Sequence, residues 1–266
     1  MENKTVRDII SEIARTAQYL WERGWAERNA GNFSVNITDL VNQDETNMFS
    51  NSPEIPFSQS VYGPAGNIFL MTGTGTRMRD LAIKPEENIC FIRVNKPGTG
   101  YQQYCLCREA GKLRPTSELP AHMAVQEMLL KKRPASKVLI HTHATELIAL
   151  THIPEMKSKE AINTVLWGMH PETLIFLPEG CGFLPYMLPG TIDIAKATTK
   201  ELENHPVLIW EKHGVLATGN SVADAFDLID LIIKPVRIFF QCTSAGFKPE
   251  GLSNLQLTEI RKNYLA

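Results

Sequence analysis

The sequence predicts one three-layer α/β/α domain, residues 1–266, around a central sheet that is mainly antiparallel or mixed. Three observations carry that prediction. Amphipathic helical periodicity opens the chain at residues 6–23 and returns at residues 222–240. Short apolar or alternating runs of strand length fill the interior. Strict β-α-β-α alternation, the mark of an all-parallel sheet, is missing, and no linker divides the chain.

The elements follow in order. Val6, Ile9, Ile10, Ile13, Ala17, Leu20 and Trp21 have helical spacing, and Gly24 stands where a helix stops. Asn29-Ala30-Gly31-Asn32 reads as a turn into an alternating strand at residues 33–37. Residues 38–66 are polar and turn-rich and read as a peripheral insertion. Residues 68–71 form a short buried strand that runs into Thr72-Gly73-Thr74-Gly75. Residues 89–94 and 101–107 are two further strands, joined by a turn at Asn95-Lys96-Pro97-Gly98. Residues 118–132 carry a helical pattern, opened by the capping residues Thr116 and Ser117 with Pro120 in the first turn. Residues 138–140 are strand-like and end in His141-Thr142-His143. Residues 173–177 and 207–211 read as strands, and residues 191–203 and 222–240 as helices.

Composition narrows the function. Lys plus Arg is 27 against 29 Asp plus Glu, a net charge of −2, so a global basic field for nucleic acid or anionic lipid is absent. The longest apolar run, residues 228–240, is broken by Asp230, Lys234, Pro235 and Arg237, so no membrane span is expected. Met1-Glu2-Asn3-Lys4 does not lead from a basic start into an apolar run, so no signal peptide is expected. Five cysteines, odd in number and sparse, fit a reducing cytoplasm better than a disulfide framework. Cys105-Leu106-Cys107 is too isolated to read as a zinc knuckle.

The chemistry sits in histidines. His141 and His143 follow an apolar run, and in extended chain residues i and i+2 share a face, so both imidazoles reach one ion. His213 lies at the end of another strand in Glu211-Lys212-His213-Gly214-Val215, and the glycine permits close approach. Three imidazoles leave positions open, the layout of a catalytic zinc site, although iron, nickel and copper also suit imidazole. Local spacing does not tie His213 to the pair. His122, His152, His170 and His205 read as hydrogen-bonded structural residues. Glu118, at a helix start, either complements the macrodipole or serves as a base beside a cation. Asn29 to Asn32, Thr72 to Gly75 and Thr116-Ser117 are ordinary turns taken singly, yet each offers the donors that bind an oxyanion. No P-loop and no dinucleotide fingerprint is present.

Six segments taken together, residues 24–32, 72–75, 115–122, 141–145, 184–191 and 213–215, resemble the zinc-dependent class II aldolases of the aldolase/epimerase family. Thr116-Ser117-Glu118-Leu119-Pro120-Ala121-His122 and His141-Thr142-His143-Ala144-Thr145 are the specific ones. The resemblance implies one Zn²⁺ per subunit on His141, His143 and His213, and Glu118 as base. It implies phosphate binding by Asn29, Asn32, Thr74, Gly75, Thr116 and Ser117, with Thr74 standing where serine is common. It implies a homotetramer with sites at subunit interfaces, where Glu172 reaches the neighbouring site. The residues flanking Glu172 depart from the family pattern. The implied reaction is reversible cleavage of a sugar phosphate, L-rhamnulose 1-phosphate, to dihydroxyacetone phosphate and L-lactaldehyde. L-Fuculose 1-phosphate, another ketose 1-phosphate, a silent scaffold and a metal dioxygenase remain alternatives.

Overall fold

The computed structural model describes residues 4–42, 47–50, 52–57, 63–106 and 113–265. Among these, nine strands form one sheet: β1 (Asn32–Asn36), β2 (Glu54–Pro56), β3 (Ile68–Thr72), β4 (Ile89–Val94), β5 (Gly100–Tyr104), β6 (Val138–Thr142), β7 (Cys181–Leu184), β8 (Val207–Trp210) and β9 (Gly214–Gly219). Their order is β2-β5-β4-β3-β1-β6-β9-β8-β7. Every pairing is antiparallel except β7 with β8. That parallel pair is joined through a helix, as a parallel crossover requires.

The sheet is mixed and mainly antiparallel, with helices on both faces, as the sequence predicts. The period-2 alternation of β6 shows why. Val138 and Ile140 join the core beneath α1 (Val6–Glu22) and the long helix α9 (Val222–Ser244). Leu139 joins a second core against α4 (Leu119–Lys132) and α8 (Ile192–Leu202). α9 packs on β6 and β9, while α4 packs on β6 and α8 on β7 and β8. A third cluster, with Phe69, Met71, Ile92 and Met123, fills the β3–β5 half. α1 starts in a capping box, in which the Thr5 hydroxyl accepts from the Asp8 N–H and the Asp8 carboxylate accepts from the Thr5 N–H.

Several expectations are corrected. Residues 173–177 are not a strand: Pro171 opens the helix α7 (Pro171–Phe176), where its missing N–H costs nothing. A short apolar run does not by itself separate strand from buried helix. β7 and β9 were not foreseen, because flanking glycines hide Cys181–Leu184 and bound Gly214–Gly219. The helix α6 (Lys159–Met169), capped by the Ser158 hydroxyl, was also missed. The run expected to be a strand to residue 107 ends at Tyr104, and Cys107 lies outside the described residues. The insertion 38–66 is more than a loop. It holds one-turn helices at Thr38–Leu40 and Asn47–Phe49, and β2, which covers the sheet edge at β5. Residues 43–46, 51 and 58–62 of it lie outside the described residues.

Candidate active site

The register of β1 on β6 sets Asn32 opposite His141. His141 is the penultimate residue of β6, on the face shared with Leu139, while His143 lies just beyond the strand end. Extended geometry through the pair therefore holds only in part. The His143 N–H donates to the Trp25 carbonyl at 2.9 Å, and the Thr142 hydroxyl donates to the same carbonyl at 2.6 Å. His213 occupies the turn between β8 and β9, after Lys212, whose φ of 58° is left-handed. That turn swings His213 over the end of β6. The His141–His213 and His143–His213 ring centroids are each 5.0 Å apart, and one ligand atom from each ring lies within 4.8 Å of the others.

Gly214 makes this closeness feasible. A Cβ there would meet the Thr142 carbonyl oxygen at 2.4 Å and His141 Cε1 at 3.1 Å. The Trp210 indole stacks on His213 at 5.0 Å and also packs on His141.

Electrostatics prepare the rings as ligands. Burial, reinforced by neighbouring His143, pushes the His141 pKa down to about 3. Burial, with His141 beside it, pushes His213 down to about 4. Both rings are therefore neutral at physiological pH, as metal binding requires. His141 Nδ1–H donates to the Val215 carbonyl at 3.1 Å, which leaves Nε2 buried without a hydrogen-bond partner. His143 Nδ1–H donates to Glu27 Oε1 at 2.8 Å, the carboxylate–imidazole pairing that orients a ligating histidine. Three converging imidazoles, with His141 and His213 held neutral and His141 Nε2 buried without a partner, fit a divalent cation. Among the described residues no other group of three or more His, Cys, Asp or Glu side chains converges in this way.

Glu118 is the N-cap residue of α4, with its side chain 13% exposed. Its Oε2 accepts from Asn32 Nδ2 at 3.0 Å. Its Oε1 lies 3.7 Å from His141 Nε2 and 4.0 Å from His213 Nε2. Because those rings are neutral, these contacts are not ion pairs. One carboxylate oxygen is held and the other faces the histidine cluster.

The same cavity, about 300 Å³, is lined by Asn29, Asn32, Thr74, Gly75, Thr116 and Ser117 together with Glu118 and the three histidines. An isolated bridge between Gly73 and Pro115 brings two of these segments together. Gly31 and Gly75 have φ of 85° and 76°, which glycine adopts without strain. Glu172 does not line this cavity. It sits in the first turn of α7, its Oε2 3.2 Å from His170 Nε2 and its side chain half exposed. A larger cavity, about 900 Å³ beside α1, β4 and β5, shares no residue with the site.

The residue patterns do not single out Glu27, Arg28 or Trp210, whereas His122 is a buried, hydrogen-bonded histidine as the sequence predicts. Arg28, at φ 49°, is the one cationic side chain lining the cavity among the described residues. Glu27, Arg28 and His122 lie inside segments already singled out as motifs. Trp210 carried no signal, since only the β8–β9 turn places it beside two imidazoles.

Residues 11–239 match the class II aldolase and adducin N-terminal domain family. The chain belongs to that family. A rhamnulose-1-phosphate aldolase of Bacteroides thetaiotaomicron is 41% identical over 251 residues, covering 94% of this chain and 92% of that protein. One from Mannheimia succiniciproducens is 37% identical, covering 95% and 92%. The crystal structure of a sugar-phosphate aldolase from Thermotoga maritima superposes with a TM-score of 0.79 at 31% identity, covering 91% of this chain and 98% of that one.

Proposed function

We propose that the protein is a metal-dependent aldolase that reversibly cleaves L-rhamnulose 1-phosphate to dihydroxyacetone phosphate and L-lactaldehyde. One observation carries the reading: three converging imidazoles, a held carboxylate and a donor-rich pocket share a single cavity of about 300 Å³. The full-length relatives named rhamnulose-1-phosphate aldolase support the choice of substrate.

His141, His143 and His213 would hold one Zn²⁺ per subunit. When bound, such a cation supplies Lewis-acid stabilisation of negative charge on the substrate's oxygens, worth several kcal/mol. The chain's own groups do the rest. The hydroxyls of Thr74, Thr116 and Ser117 and the amides of Asn29 and Asn32 are the donors for the phosphate, with the Gly75 backbone beside them. The Thr116 hydroxyl accepts from the Glu118 N–H at 3.3 Å and keeps its own hydrogen to donate. Arg28 adds positive charge at the same wall. Anchoring the phosphate fixes the distant reacting carbon, so remote binding energy serves orientation.

Glu118 moves the proton. In the synthetic direction its Oε1 takes a proton from the hydroxymethyl carbon of dihydroxyacetone phosphate. In the cleavage direction the hydroxyl that becomes the aldehyde loses its proton as the carbon–carbon bond breaks, and the Glu118 carboxyl, protonated in exchange, delivers a proton to the hydroxymethyl carbon. Base catalysis of this kind contributes ~10²–10⁴-fold.

A single catalytic domain is part of this reading, supported by one sheet running through the described residues. So is a homotetramer in which Glu172, outside its own cavity, reaches a neighbour's. A cytoplasmic location fits the free thiols of Cys90, Cys181 and Cys242, and no described helix is long and apolar enough to cross a membrane. The test is release of dihydroxyacetone phosphate from L-rhamnulose 1-phosphate in a coupled NADH assay. Release that stops on chelation and returns with Zn²⁺ is expected. A zinc-loaded protein that releases nothing overturns the reading.

A further inference from the structure

We infer that His122 is a positioning residue for the base: through Asn32 it fixes the orientation of the Glu118 carboxylate. This rests on the reading of Glu118 as the base.

His122 projects from α4, fully buried, onto the face of β1 that carries Asn32 and Ser34. Its Nδ1 lies 2.8 Å from Ser34 Oγ, and its Nε2 meets Asn32 Oδ1. Gln126, one turn further along α4, donates from Nε2 to Ser34 Oγ at 3.0 Å. Asn32 Nδ2 in turn donates to Glu118 Oε2 at 3.0 Å.

The direction of every bond in this row follows from chemistry. An ionised carboxylate only accepts, so Asn32 must present its amide N–H₂ to Glu118. Its carbonyl oxygen then faces His122 and also only accepts, so His122 carries its proton on Nε2. His122 Nδ1 is left as an acceptor, and the Ser34 hydroxyl donates to it. Ser34 Oγ accepts from Gln126, which closes the row against the body of α4. The five residues form one continuous line of donors ending on Glu118. The line works only with neutral His122, and burial holds that ring neutral.

The consequence is directional. With Oε2 held, Oε1 is the oxygen that faces His141 and His213. Without the His122 donor, the Asn32 amide loses the anchor on its oxygen and is free to swing away from the carboxylate. Glu118 then loses its fixed orientation. The cost falls mainly on the proton-transfer step, because, of the phosphate donors, only Asn32 is disturbed, while Asn29, Thr74, Thr116 and Ser117 stay in place.

Two substitutions separate positioning from packing. The Gln amide nitrogen reaches about where His Nε2 lies, so His122→Gln keeps a donor for Asn32. The Asn side chain reaches only to the Nδ1 position, so His122→Asn loses that donor. The readout is exchange of the hydroxymethyl proton of dihydroxyacetone phosphate with D₂O, followed by NMR on zinc-loaded protein. It requires the base but no aldehyde. We expect His122→Asn to lose ~10–100-fold in the maximal exchange rate, the size of loss a misplaced group causes. The KM for dihydroxyacetone phosphate and the bound zinc should stay within about 3-fold of wild type in that variant, and His122→Gln should recover most of the rate. Equal rates in the two variants, or losses that follow thermal stability, would overturn the inference. Should either variant fail to fold, Ser34→Ala carries the test, because it frees the His122 tautomer. A lower exchange rate at unchanged KM supports the inference, and a wild-type rate overturns it. Wild-type protein that exchanges the proton but does not cleave L-rhamnulose 1-phosphate overturns only the substrate. Wild-type protein that does not exchange it overturns the base, and this inference with it.

Discussion

Asn32 and His141 face each other across the antiparallel ladder of β1 and β6. This register places the residue that holds Glu118 next to a member of the histidine cluster. A slip of one position would turn every side chain of β1 to the opposite face. Asn32 would enter the apolar core beneath α1, and Phe33 would enter the site. The hydrophobic pattern that anchors β1 thus also assembles the chemistry.

Glu118→Gln should keep the metal and lose the reaction. The amide preserves shape but does not take the proton. Because Asn32 donates to Oε2, the amide also meets a donor where the acceptor stood unless it rotates. The kcat should fall ~10²–10⁴-fold, the range for a lost general base. Zinc content by atomic emission should remain one per chain. Wild-type-like kcat in a zinc-loaded variant would remove Glu118 from the mechanism.

Glu27→Ala should weaken metal binding while leaving Glu118 in place. Glu27 accepts from His143 Nδ1 at 2.8 Å and fixes which nitrogen faces the cluster. Loss of such a partner costs ~10–100-fold in metal affinity. Competition with a chromophoric chelator would measure it, and unchanged affinity would show that the exposed Glu27 side chain does not orient the ring.

Gly214→Ala should damage fold and site together. The added methyl would lie 2.4 Å from the Thr142 carbonyl oxygen, and backbone on both sides has little room to retreat. Overpacking of this kind costs roughly 1–3 kcal/mol. Because the same movement displaces His141 or His213, zinc content should fall with Tm. A variant with native Tm and full zinc would mean the β8–β9 turn yields freely.

Acidification should destabilise the fold partly through His122. Burial pushes its pKa from 6.5 down to about 4. Between those values the unfolded chain binds a proton that the folded chain does not. Stability from this group is therefore complete above about pH 6.5 and declines as pH falls toward 4. The full difference is on the order of 3 kcal/mol. Denaturant titrations from pH 7 to about 4 should show a steeper decline in wild type than in His122→Gln. Comparing the two cancels the pH dependence of metal binding, and parallel curves would place His122 in a wetter setting than the fold gives it.

Much of this was legible in the residues. The period of 3.6 in residues 6–23 and the apolar strand runs dictate helices on a mixed sheet, because both patterns bury one face. His141-Thr142-His143, Glu118 and the small polar turns are the candidates the residues offer, and the resemblance to the class II aldolases is what joins them. What the sequence left open was which residues meet. Residues 173–177 have the composition of a strand, yet Pro171 and the packing of α7 make them helical. His213 joins His141 and His143 only through the left-handed Lys212 and the β8–β9 turn. His122 and Asn32 stand 90 residues apart and meet through the packing of α4 on the sheet, which no local period encodes. The chain determined most of its element types and its set of reactive groups through local, periodic physics. Tertiary structure alone decided their distances and directions, because register and turn geometry, not sequence separation, fix where side chains converge.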